Sequence, residues 1–278
     1  MISFKKIGAF GRLGNQMFQF ASTVGIANAT GKDYAFPKEN TEVPSVEDFK
    51  DGVTRQVYFD LPKYFPRVKH TLAPVKEINT SYQAKEPHFH FCPELLSIPD
   101  HTDLLGYYQT EKYFEHCSSL IRSYFQFDPI IETEAKNKFP AFPMDIEYVS
   151  IHVRRGDYVG LQQFHPVMSV SYYFDALTEF MEGNYCFLIF SDDIPRSKDL
   201  FVEQDNIVYI EGNDPAVDMC MMSMCEHNII ANSSFSWWPA WLNKNPNKKV
   251  VAPKNWFGPA YEGVHNTKDL YPKSWIVK

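Results

Sequence analysis

Tyr148-Val149-Ser150-Ile151-His152-Val153-Arg154-Arg155-Gly156-Asp157-Tyr158 runs an apolar, partly β-branched segment straight into a cluster of charge. An apolar run ending at Val153 predicts a buried strand of a parallel sheet, and open α/β sheets hold their ligands beyond the carboxyl ends of such strands. Arg154 and Arg155 fall at that end. A guanidinium is always charged and presents a planar fork of donors, so two adjacent ones suit a diphosphate better than a lone carboxylate. The same residues would equally serve as an ion-paired surface loop, and on the stretch alone both readings stand.

In 278 residues, a hydrophobic content of 44% and an aromatic content of 16% exclude a disordered chain and suffice for two modest domains or one large α/β domain. The net charge of −7 and pI of about 5.7 argue against a nucleic-acid partner. An anionic ligand must then be met by a local basic pocket, for which Arg154 and Arg155 are the candidates. Cys92, Cys117, Cys186, Cys220 and Cys225 are odd in number and scattered, which reads as free thiols of a reducing cytoplasm. The amino end, Met1 to Lys6, lacks the apolar core of a signal peptide, and no apolar run approaches the length of a membrane span. A cytoplasmic protein is expected, with peripheral membrane association left open.

Ahead of the quoted stretch, Ile2 to Phe10 reads as a strand, Gly11 to Gln16 as a tight turn, and Met17 to Ala29 as a helix ended by Gly31. This G-x-x-G turn is neither the dinucleotide fingerprint nor a P-loop, so it does not indicate nucleotide binding. The side-chain amides of Asn15 and Gln16 suit sugar hydroxyls instead. From Pro37 to Pro99, prolines such as Pro44, Pro62 and Pro74 break the chain into short variable segments. His88-Phe89-His90-Phe91 alternates like a strand with both imidazoles on one face, and no further ligand at metal-site spacing accompanies them. Leu104 to Gln109 reads as a strand end and Glu111 to Phe125 as a helix, with Pro140 and Pro143 marking a linker.

Behind the quoted stretch, the rhythm of strand and helix repeats. Helices are expected over Ser171–Met181 and from Asp214-Pro215, as cap and first turn, to about Glu226. Strands are expected over Tyr185–Ser191, Ile207–Ile210, Asn228–Ala231 and Lys249–Ala252. Asn232-Ser233-Ser234-Phe235-Ser236 then opens a helix with hydroxyls and backbone N–H groups gathered at its start, which suits a phosphate as well as it suits plain capping. In a parallel sheet the polar clusters at His152 to Asp157, at Ser191-Asp192-Asp193, and at His227 with Asn232 to Ser236 converge on one crevice. Asp192 and Asp193 would serve there at a base edge or ribose, or would hold a divalent ion on the diphosphate. Because the arginines already neutralise phosphate charge, a metal-independent site is expected.

Gly11-Arg12-Leu13-Gly14-Asn15-Gln16-Met17-Phe18-Gln19, His152-Val153-Arg154-Arg155-Gly156-Asp157-Tyr158, Phe187 to Asp193 and Asn232 to Trp238 occur in an order that resembles the α-1,2-fucosyltransferases of glycosyltransferase family 11. Gly106-Tyr107-Tyr108-Gln109-Thr110-Glu111-Lys112-Tyr113-Phe114 resembles that family too. The resemblance spans most of the chain and implies an α/β, GT-B-like fold with two Rossmann-like domains facing across a cleft. Residues 1–143 would form the acceptor-side domain and 144–278 the donor domain, with about the last 20 residues packing back on the first.

The resemblance further implies inverting transfer from GDP-β-L-fucose to the 2-hydroxyl of a galactoside, in an oligosaccharide or lipid-linked glycan, without a cofactor or required metal. Carried over by position, Arg154 and Arg155 would bind the diphosphate and stabilise its charge, with His152 and His227 at the guanine or ribose. Asp192, Asp193 and Asn232 would complete the donor site, and Ser233, Ser234 and Phe235 would meet the β-phosphate. Arg12, Gly14, Asn15 and Gln16 would face the fucose or acceptor. Asp157 is the first candidate for general base, or else the orienting partner of Arg155. As a strand-end residue Arg154 should matter to activity and little to the core. A binding module of the same fold with a dead centre is the competing class, and a P-loop kinase or sulfotransferase lacks its motif.

Overall fold

The computed structural model describes residues 1–42, 45–48, 54–141, 145–201 and 204–278. They form two compact units, Met1–Asp128 with Gly263–Pro272, and Pro129–Glu262 with Lys273–Lys278. The boundary expected at 143/144, with Pro143, lies outside the described residues, as does Pro44. The units divide at 128/129 because the helix Pro129–Lys138 packs against the helix Pro215–Met224 of the second unit.

In the first unit a five-stranded sheet runs in the order Leu72–Ala73, Tyr34–Pro37, Ile2–Ser3, Thr102–Leu105, Tyr82–Lys85, all parallel. The first strand is much shorter than Ile2 to Phe10. Beyond Ser3 the chain turns, with the Ile7 N–H on the Phe4 carbonyl, and the Asn40 side-chain amide donates to the Lys5 and Ile7 carbonyls. The long helix starts at Leu13 rather than Met17 and continues to Ala29. Gly11, at φ +81°, makes the sharp entry that lets Gly14, Asn15 and Gln16 join its first turns. This helix is buried almost all round, and its polar side chains tie down loops: Gln19 Nε2 donates to the Phe10 and Gly106 carbonyls, and Ser22 Oγ to the Tyr108 carbonyl. The helix expected over Glu111–Phe125 is broken. Phe114 leaves helical backbone, at φ −139° and ψ 3°, so that only Ser118–Tyr124 is α-helical. His88 and His90 do not lie on a strand, and their rings stack at 3.6 Å.

The second unit holds a six-stranded sheet in the order Ile207–Ile210, Tyr185–Ser191, Glu147–Val153, His227–Ile229, Val250–Ala252, Ile276–Val277, with every pairing parallel. Numbered along this unit, that is the doubly wound order 3-2-1-4-5-6. Val149, Ile151 and Val153 point to one face, where they form a core with Tyr172, Tyr173 and Ala176 of the helix Val170–Leu177. Alternate residues Ser150 and His152 point to the other face. There Asn228 Nδ2 joins Ser150 Oγ to the Met222 carbonyl, and His152 meets Phe235 of the helix Ser234–Leu242.

Candidate active site

In a doubly wound sheet the chain leaves strands 1 and 4 toward opposite faces, so their carboxyl ends part and open a crevice. Here those ends are Val153-Arg154-Arg155 and the residues after Ile229, which lead through Asn232 to the helix Ser234–Leu242. His152 Nδ1, Arg154 Nε and Asn232 Oδ1 are buried at this point without a hydrogen-bond partner. Buried polar atoms are nearly always paired, so their concentration in one crevice marks a place built for more than the fold.

The two arginines are held differently. Arg154 forms ion pairs with Asp157 and, at 2.6 Å, with Asp192, and its guanidinium lies 5.1 Å from the Tyr158 ring centroid. Its side chain is 15% exposed and that of Asp157 13%, so this is a largely buried knot and not a loose strand-end charge. Asp157 is thus the partner of Arg154 and not of Arg155. Arg155 donates from Nε to Asp193 Oδ2 at 3.1 Å, and among the described residues its terminal nitrogens meet no carboxylate or carbonyl. Asp192 Oδ1 accepts the Arg155 and Gly156 backbone N–H groups at 2.9 and 3.2 Å, which seats the loop on the neighbouring strand end. A β-carbon on Gly156 would collide with that carboxylate. Gly156 and Tyr158 stand in the quoted stretch without an assigned role. Only the close approach of Asp192, and the Tyr158 hydroxyl donating to the Asn232 carbonyl at 3.2 Å, show what they do.

His152 is buried, its carbonyl accepts the Tyr173 hydroxyl at 3.1 Å, and burial together with the Arg154 charge holds its imidazole down to about 3. It is a neutral floor to the crevice. Asn232 Nδ2 donates to the Pro166 and Trp256 carbonyls and thereby joins three loops. Ser233 caps the helix by accepting the Phe235 N–H, so the positive end of the helix dipole, with Ser234 and Phe235 partly exposed, opens beside His152.

The structure removes His227 from this group. It begins its strand, paired with Val149, and so lies five residues, about 16 Å at the usual rise, from the level of Arg154. At the amino edge its Nε2 faces Glu147 at 3.2 Å and its Nδ1 accepts the Lys249 N–H.

Gln16 is likewise fully committed. It is buried, its Nε2 donates to the Gly11 and Tyr58 carbonyls, and its Oε1 accepts the Asp60 N–H, which leaves it to fasten a loop. Asn15 instead accepts from Gln109 Nε2 at 2.8 Å, while Arg12 is exposed at the helix cap and Gly14 is buried in the first turn. Near them Glu86 accepts the Tyr107 and Tyr108 N–H groups through separate oxygens, and burial pushes its carboxyl up to about 7 against the opposing pull of those donors. Because the folded state then holds this proton more tightly than the unfolded chain, Glu86 favours folding below its ordinary 4.5 and loses that effect as pH rises toward 7. Glu86→Gln should therefore flatten the fall in Tm between those pH values; parallel slopes for variant and wild type would refute the shift.

A family model described as Glycosyl transferase family 11 matches residues 2–278. The chain is similar to an alpha-1,2-colitosyltransferase of Escherichia coli, 35% identical over 190 residues that cover 65% of this chain and 63% of that protein. It is also similar to the O-antigen biosynthesis glycosyltransferase WbnK of Escherichia coli, 38% identical over 46% of this chain and 43% of that protein. Both matches take in less than two thirds of the relative's length. With galactoside alpha-(1,2)-fucosyltransferase 2 of Bos taurus the identity is 23%, over 96% of this chain and 80% of the relative. Among solved structures, POFUT1 in complex with GDP matches at a TM-score of 0.52 and 13% identity, covering 90% of this chain and 97% of that one. NodZ alpha-1,6-fucosyltransferase co-crystallized with GDP matches at 0.51 and 13% identity, over 86% and 91%. At such identity the likeness is one of fold, the GT-B-like α/β class.

Proposed function

Because this chain belongs to glycosyltransferase family 11, we propose that it is an inverting enzyme that moves L-fucose from GDP-β-L-fucose to the 2-hydroxyl of a terminal galactoside. The observation that carries this reading is Arg155, a guanidinium at the switch point whose terminal nitrogens meet no carboxylate among the described residues, just past a strand whose His152 meets Phe235 in the first turn of a helix. Such an arrangement suits a diphosphate leaving group. As the glycosidic bond breaks, the anomeric carbon gains oxocarbenium character and negative charge builds on the β-phosphate. Cations held in place beforehand act where that charge develops. Arg155 takes the phosphate directly, and Arg154, pinned by Asp157 and Asp192, keeps the loop in position. Asp157 is assigned to orient Arg154 and not to serve as the base.

Asp192 and Asp193, the carboxylates a divalent ion on the diphosphate would need, are engaged by the arginines and by backbone N–H groups. This supports metal-independent transfer, in which chelator leaves the rate unchanged. Free thiols at Cys92, Cys117, Cys186, Cys220 and Cys225 support a reducing, cytoplasmic setting. Among the described residues no helix is long and apolar enough to cross a membrane, and lipid-linked glycans stay within the acceptor class.

The testing experiment follows GDP release from GDP-fucose with a panel of β-galactosides and identifies the linkage formed by NMR. GDP-colitose is the competing donor, given the name of the Escherichia coli relative. Tight GDP binding without turnover on any acceptor would make the chain an inactive sugar-nucleotide or glycan-binding module.

A further inference from the structure

The first unit has a switch point of its own, between Ile2–Ser3 and Thr102–Leu105, and the loop Gly106–Gln109 that leaves it is braced on every side. Gln19 holds the Gly106 carbonyl, Glu86 holds the Tyr107 and Tyr108 N–H groups, and Ser22 holds the Tyr108 carbonyl. Tyr108 sits in the left-handed region at φ +54° although it is not glycine, a strained conformation that persists only where its surroundings enforce it.

This bracing presents two kinds of surface. Tyr107 is 39% exposed and its ring meets Phe10 edge to face at 5.3 Å. Two residues further along, Gln109 is nearly buried with Nε2 fixed on Asn15, and its Oε1 has no hydrogen-bond partner. An unpaired buried acceptor is costly unless something else supplies the donor. A sugar offers both complements, a C–H face for an aromatic ring and hydroxyl donors for an amide oxygen.

We propose that Phe10, Asn15, Tyr107 and Gln109 form the acceptor subsite and receive a neutral pyranoside, with its ring on Tyr107 and a hydroxyl on Gln109. This rests on the fucosyltransferase reading above and moves the acceptor contacts from Gln16 to Tyr107 and Gln109. Glu86 is a positioning residue that sets the angle of Tyr107.

The test measures steady-state kinetics with GDP-fucose and a β-galactoside for Tyr107→Ala, Tyr107→Phe and wild type. The expected result is an acceptor KM raised about five- to twentyfold in Tyr107→Ala and within twofold in Tyr107→Phe. The GDP-fucose KM and the acceptor-free release of GDP should not change. An unaltered acceptor KM in Tyr107→Ala, or an equal rise in donor KM, overturns the subsite. If wild type transfers to no acceptor, the activity reading fails by itself. Saturation-transfer NMR with the same galactosides then decides: signal lost in Tyr107→Ala supports the subsite, and equal signal in both proteins, or none in wild type, overturns it.

Discussion

Arg155→Ala should lower kcat/KM for GDP-fucose on the order of a hundred- to a thousandfold, the usual effect of removing one preorganised donor from a developing anion. Thermal stability should hardly change. Among the described residues the ion pair lost is the one with Asp193, whose side chain is 29% exposed, and pairs so exposed contribute little. Arg155→Lys should recover part of the rate, because an ammonium keeps the charge but not the fork that grips two phosphate oxygens. Normal turnover in Arg155→Ala would remove the residue from the donor site and take the main support for the proposed reaction with it.

Arg154→Ala should differ in kind. It leaves Asp157, with a side chain only 13% exposed, and Asp192 facing each other without the cation between them, and it removes the guanidinium from Tyr158. Removing the cation shared by two largely buried carboxylates costs about 1–3 kcal/mol, so this variant should lose stability as well as activity. Arg154→Ala/Asp157→Asn should regain much of the stability and none of the activity, because it relieves the repulsion without restoring the loop. Thermal denaturation of the two variants beside Arg155→Ala separates the roles. Equal Tm values for Arg154→Ala and wild type would show that Arg154 is the loose strand-end residue its sequence position suggests.

Much of the strand-end crevice of the second unit is legible in residues close together in the chain. Tyr185–Ser191 and Ile207–Ile210 form strands with the expected ends, and Asp214-Pro215 and Ser233 start helices where their capping chemistry places them. Beside these, the helix that should have begun at Met17 begins at Leu13, because one glycine at positive φ is enough to turn the chain into it. His227 was misplaced for a different reason. A short apolar strand does not say which of its ends carries the ligand, and only the pairing with Val149 puts the imidazole at the amino edge.

By itself the sequence determined two parallel α/β units, the family, and an arginine-rich strand end facing a polar helix start, because periodicity, capping and charge are properties of neighbours in the chain. Only the tertiary structure decided that Arg154 is a bolt and Arg155 the open hand, that Gln16 fastens a loop, and that Gln109 keeps an unpaired acceptor. Those roles depend on which carboxylates and carbonyls from distant segments arrive at each side chain. Strand register and loop bracing set that arrival, and neither is written in the residues nearby.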